Sequence, residues 1–218
     1  FSNDGLVEVT SGTLNFDYQL VNNGQVDVAS GQKVVCGSTV RGSANSVFTG
    51  SGTVELDGAY VGGYLRGDHF EHKLGTRLTG DFELQGKMTW AGGEVDANLT
   101  VAPGATLYIE GSSNKVVGGS RHIAVAGTVL WSGSGEIQSE SDYMGPDGYL
   151  DILPGGLFDV QSDADFGIES ATYSKYLHIN NQGTFRKSGA GGETLLYRVA
   201  FSNDGLVEVT SGTLNFDY

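Results

Sequence analysis

Apolar and polar residues alternate in short stretches along this chain, and most of the stretches are entered through a glycine. Gly5 opens LVEV, Gly24 QVDV, Gly52 TVEL, Gly80 DFEL, Gly104 ATLYI, Gly127 TVLW, Gly148 YLDI and Gly183 TFRK, and Gly205 restarts the cycle. A second stretch often follows: Gly12 opens TLNF, Gly31 QKVV, Gly135 EIQS and Gly156 LFDV. This period of two marks strands with one buried face. It predicts an inward set of Val7, Val9, Leu14, Phe16, Val26, Val28, Val54, Leu56, Phe82, Leu84, Leu107, Ile109, Val129, Leu150, Ile152, Phe158 and Val160. A glycine roughly every six residues, each costing about 1 kcal/mol inside a helix, breaks nearly every helical window.

The openings recur every 19 to 28 residues, apart from the 35 between Gly148 and Gly183 when the strand at Gly156 is counted within the rung at Gly148. Repeats of that length indicate solenoids, propellers or arrays, and irregular spacing suits a solenoid, whose rungs tolerate insertions as loops. The expected fold is therefore all-β, a parallel β-solenoid of about eight rungs per period with loops on one face. Stacked at about 4.8 Å per rung, it would be roughly 40 Å long. A tandem of β-sandwiches is the rival, but it calls for linkers, and only Pro103, Pro146 and Pro154 interrupt the chain. Residues 58–79, 136–147 and 162–177 depart from the template and are expected to be loops leaving the wall, where binding functions concentrate.

Residues 1–18 and 201–218 are identical, FSNDGLVEVTSGTLNFDY. Residues 1–200 thus read as one full period of a tandem repeat and 201–218 as the start of the next, with no domain boundary inside the period. Packing alone leaves Ser2, Asn15 and Tyr18 free to vary, so the identity points to recent duplication in an array or to an engineered overlap. The array is favoured, because the copy stops in mid-pattern, and the residues after Tyr218 are expected to read like Gln19-Leu20-Val21-Asn22.

Composition narrows the function. The 35 glycines lack a collagen period, and 39% hydrophobic residues supply a core. A net charge of −14, with 12 scattered basic residues, argues against nucleic acid and anionic membranes as partners. No apolar run approaches the ~18 residues of a membrane span, and no signal pattern opens the chain. The single Cys36 reads as a small wall residue, and cysteine usage leaves the compartment open.

Several segments also resemble a known class. FSNDGLVEVTSGTLNF, KMTWAGGEVDANLTVAPGATLYIEG, INNQGTFRKSGAGGETLLYRVAFSNDGLVEV and LPGGLFDVQSDADFG are similar to the long repeats of giant bacterial adhesin-like or haemagglutinin-like surface proteins, related in style to autotransporter passenger repeats. The resemblance covers most of the period and is weakest at 58–79 and 136–147. It implies a β-helical extracellular stalk and transfers no catalytic residues.

Candidate chemistry is sparse. Asp142, Asp147 and Asp151 form one acidic group and Asp159, Asp163 and Asp165 another, of the kind polysaccharide lyases and hydrolases use; solvated acidic loops are the simpler reading. A calcium ion between rungs is the one cofactor considered, although neither the G-G-x-G-x-D pattern nor an EF-hand loop is present. His69 and His72 are spaced wrongly for joint ligation from a helix or strand and read as surface histidines. Arg66-Gly67-Asp68 matches an adhesion tripeptide, and Asn98-Leu99-Thr100 is a glycosylation sequon. The NDG, NNG and PDG corners at 3–5, 22–24 and 146–148 suggest Asn and Asp at positive φ. Tyr60, Tyr64, Trp90, Trp131, Tyr143, Tyr173 and Tyr176 are expected to stack between rungs or to present a sugar-binding face. No residue is assigned a catalytic, cofactor-binding or metal-binding role. The chain is expected to be a structural unit of an extracellular filament or cell-surface stalk whose partners are adjacent copies of itself. The alternative is an adhesin-type module that binds a glycan or another cell through 58–79 and 162–177. An enzyme is the least expected reading.

Overall fold

The computed structural model describes residues 1–139, 147–168 and 176–217. All their regular structure is strand, and the strands pair in parallel throughout. The chain winds into coils of three short strands, one on each of three faces. The first coil holds Ser2–Asn3, Leu6–Val9 and Thr13–Phe16, and the second Gln19–Asn22, Gln25–Val28 and Lys33–Cys36. In coils four to six the first two faces fuse into single longer strands, Tyr60–Leu65, Arg77–Leu84 and Gly93–Val101. Above them the faces part again, because Gly93–Val95 pairs with Lys115–Val117 while Leu99–Val101 pairs with Ile123–Val125.

Among the described residues face three is a ten-stranded sheet, which marks ten coils, and Thr213–Asp217 begins an eleventh. Per 200-residue period that is a little over nine, close to the about eight expected. The missed coil is the fourth, within 58–79, where glycine entries are out of place and the pattern looked like a loop. That stretch contributes Tyr60–Leu65, Phe70–His72 and the start of Arg77–Leu84, so it is wall and not an excursion from it. The described parts of the other two segments also hold wall strands, Ile137–Ser139 and Phe166–Ile168; residues 140–146 and 169–175 lie outside the described residues.

The interior is built from vertical columns. On face three, register places Leu14, Val34, Val54, Phe70, Met88, Leu107, Val129, Phe158, Phe185 and Val207 one above another. Stacking identical faces keeps each apolar side chain over another, so burial adds coil by coil. Of the expected inward set, all are buried except Val7 and Leu14, which lie in the terminal coil and are half-buried against the core. The neighbouring column runs Phe16, Cys36, Leu56, His72, Trp90, Ile109, Trp131, Val160, Lys187 and Val209. It carries the free cysteine and two buried ionisable groups inside an otherwise apolar stack.

The corner asparagines do something other than expected. Among the described residues only Ser120 and Arg198 have positive φ without being glycine. Asn3 and Asn22 instead turn inward, and Asn3 Nδ2 donates to Asn22 Oδ1 at 2.8 Å. The glycine two residues on is needed for close approach: a Cβ on Gly24 would sit 2.2 Å from the Gly5 carbonyl oxygen in the coil below.

Candidate functional site

Most side chains singled out from sequence are committed to the wall. Burial pushes the Cys36 thiol up to about 12, consistent with an inert core residue. His69 is exposed but His72 is buried, which corrects the surface reading; the two do not share a face. Neither ring nitrogen of His72 has a hydrogen-bond partner, and burial lowers it to about 4, against a weak opposing pull from the Thr76 backbone. In the Arg66-Gly67-Asp68 tripeptide the guanidinium is held by Gln85 at 2.6 Å and by the Ala44 carbonyl at 2.6 Å, while Asp68 pairs with Lys87 at 3.1 Å. Asn98 of the sequon donates to Asp81 at 2.5 Å. Trp90 and Trp131 belong to the core, Tyr60 lies under the Arg41 guanidinium at 5.3 Å, and Tyr176 is exposed. Tyr143 and Tyr173 lie outside the described residues.

The acidic candidates do not converge as a pair of free carboxylates. Asp142 lies outside the described residues. Asp159 is nearly sealed; it accepts from Arg186 Nη2 at 2.7 Å, Ser188 Oγ at 2.7 Å and Gln161 Nε2 at 3.0 Å. Burial alone would raise this carboxyl, but those bonds together hold it below the usual carboxylate range. Asp163 accepts from buried Lys187 at 2.9 Å, and Asp165 from the Leu195 amide at 2.7 Å. The same vertical pairing neutralises Lys73 and Arg77 of 58–79, with Asp57 at 2.5 Å and Glu94 at 2.8 Å, and Arg121 further along, with Asp96 at 2.7 Å. Among the described residues no group of three or more His, Cys, Asp or Glu side chains is placed to hold a metal ion.

One surface feature escaped the sequence reading. On face two, Tyr149 is stacked between His122 and His178, with ring centroids 4.4 and 4.8 Å apart. Asp151 accepts from His122 Nδ1 at 2.6 Å and from Asn180 at 2.7 Å, and Asp147 meets His178 Nε2 at 2.8 Å. Register makes this two parallel rows, His122–Tyr149–His178 and Ala124–Asp151–Asn180–Ser202. Beside the second row lies a groove of about 290 Å³, lined by Asp151, Asn180, Gln182, Ser202 and Asp204. Three residues 27 and 29 positions apart give no local motif, so nothing short of the register reveals the stack.

The two ends of the chain form the second feature. Val9 is 6% exposed and its copy Val209 is 49%; Phe16 is 8% and Phe216 is 43%. The sequence is the same, but the first copy pairs with a coil above it and the second with a coil below it, one face further on. Residues 19–36 cover the first copy, with Val21, Asn23 and Gln25 amides donating to the carbonyls of Phe1, Asn3 and Gly5 at 2.7–2.9 Å. No described strand lies above the second copy.

Comparison with protein-family models, with curated proteins and with solved structures returned no match to this chain.

Proposed function

We propose that the chain is one 200-residue unit of a long β-solenoid that stacks end to end into a filament or stalk on a bacterial surface. The observation that carries this reading is the recurrence of residues 1–18 at 201–218 within one continuous parallel stack. Both copies are wall strands: Leu6–Val9 pairs with the coil above it and Leu206–Val209 with the coil below it, so the second copy continues the stack instead of opening a separate body. A second unit beginning with that sequence buries Val209 and Phe216 and pairs the open strand edges, which are otherwise an aggregation liability. The extracellular, adhesin-like setting rests on the sequence resemblance, and the acidic surface keeps neighbouring fibres apart.

Electron micrographs of the parent protein test this. Uniform rods lengthening by about 45 Å per unit, the rise of nine to ten coils at ~4.8 Å, are expected. Strings of separate globules would overturn it.

The adhesin-type reading draws support from one observation, a face-two groove lined by carboxylates and amides with the His122–Tyr149–His178 row on the same face. That pairing suits a polar, ring-bearing ligand such as a glycan. Binding of the isolated unit on a glycan array, lost on Tyr149→Ala, is the expected outcome if it holds; silence across the array counts against it. A hydrolase or lyase is supported least, because Asp159, Asp163 and Asp165 are each tied to their own donor.

A further inference from the structure

The two identical segments do not occupy equivalent places in the coil. In the first copy Leu6–Val9 lies on face two and Thr13–Phe16 on face three. In the second, Leu206–Val209 pairs with Thr184–Lys187 on face three, and Thr213–Asp217 pairs with Glu193–Tyr197 on face one. Ser2–Asn3 likewise moves from face one to face two, where Ser202 and Asn203 pair with Asn180 and Asn181. Every strand of the copy has advanced by one face.

The column on face three gives the reason. Nine coils above Leu14 stands Val207, which is 193 residues on (207 minus 14). The repeat is 200 residues, so seven remain, and seven is also the step from Val7 on face two to Leu14 on face three. The period is nine coils and one face.

The local contacts are indifferent to this shift. Asn181 Nδ2 donates up to Asn203 Oδ1 at 2.6 Å and to the Leu206 carbonyl at 2.9 Å. Asn3 Nδ2 donates up to Asn22 Oδ1 at 2.8 Å and to the Gln25 carbonyl at 3.0 Å. Asn203 is the copy of Asn3, yet its amide turns to its own Gly205 carbonyl at 3.2 Å. The two end pairs are halves of one three-rung ladder, Asn181–Asn203–Asn22, that closes when the next unit follows in the shifted position.

We propose that successive units of the array are rotated by one face, a third of a coil turn beyond the twist of the stack, so that each surface feature recurs on three sides of the filament and returns after three units. This rests on the end-to-end stacking proposed above. Three units then make 28 coils, a repeat of about 135 Å at ~4.8 Å per coil. The face-two groove would be presented all round the filament and not along one edge.

Paired cysteines in the chain itself test the phase. Thr184 and Leu206 are register partners on face three and both point outward. With Thr184→Cys and Leu206→Cys, oxidation is expected to remove both free thiols, since adjacent parallel strands place the Cα atoms within disulfide reach; buried Cys36 does not compete. With Asn180→Cys and Leu206→Cys the thiols are expected to stay free. An in-phase copy would put Leu206 on face two and reverse the two results, which overturns the proposal. Helical reconstruction of a tandem array then separates this inference from the stacking beneath it. A rotation of one third of a turn per unit, added to the coil twist, is expected. Continuous rods with no such rotation would overturn the phase alone. Separate beads would overturn the stacking, while the cysteine pairs still decide the phase of the second copy.

Discussion

His72 shows how a single residue can mark the limits of this core. It occupies an inward position between Leu56 and Trp90 in an otherwise apolar column, with both ring nitrogens unpartnered. Its folded pKa, about 4, lies below the unfolded value of 6.5. The unfolded chain therefore binds the extra proton first as the pH falls. The stability that neutral His72 permits is complete above pH 6.5 and is lost as the pH drops toward 4, by about 3 kcal/mol for a shift of this size. Replacing His72 by Phe is expected to remove this component. Denaturant titrations of both proteins between pH 7 and 4 check it, and equal pH slopes would sink the assignment. Lys187 tolerates the same column differently. Its ammonium leaves the stack at the corner and finds the Ser162 carbonyl at 2.6 Å and Asp163 at 2.9 Å. A buried charge is kept when its hydrogen bonds are met.

At the scale of the strand and its corner, glycine sets how closely coils approach. A Cβ on Gly24 meets the Gly5 carbonyl oxygen at 2.2 Å, and backbone cannot swing aside as a side-chain tip would. Gly5 holds the same place in its own Asn-Asp-Gly corner, with nothing within 4 Å, because no coil lies beneath it. Gly24→Ala is expected to destabilise the chain by about 1–3 kcal/mol, while Gly5→Ala leaves the unfolding midpoint nearly unchanged. Equal effects would mean that corner conformation matters and coil spacing does not. The contrast also shows what was legible in sequence. A glycine at each corner was visible, and so was the alternation that follows it. The reason for the glycine was not, since the atom that excludes a side chain belongs to a residue 19 positions away. The same distance hid the candidate site. Asp151 meets His122 across 29 residues and Asp147 meets His178 across 31, and irregular coil lengths leave no fixed offset to search for.

For the whole molecule, stability comes from neighbouring coils, so each added interface counts. A chain of two complete units is expected to unfold at a higher denaturant midpoint and with a steeper slope than the 218-residue chain, because it buries the surface now open at Val209 and Phe216. Two units behaving as independent domains would keep the single-unit midpoint. The charge of −14 enters at this scale too. Its acids are interleaved with bases from adjacent coils, as in the Arg77–Glu94 and Arg121–Asp96 pairs, and the excess faces solvent.

By itself the sequence determined the strand, its buried side and the repeat. Alternation and glycine entry are local properties, readable within ten residues, and the duplication is visible by inspection. The tertiary structure alone decided the number of coils, the fusion of two faces in the middle of the stack and the face on which each copy falls. Those depend on how many residues each coil consumes, from 16 between Val54 and Phe70 to 30 between Phe166 and Leu196. Coil length is settled by which side chains stack over one another, a competition among distant segments that no single window of sequence contains.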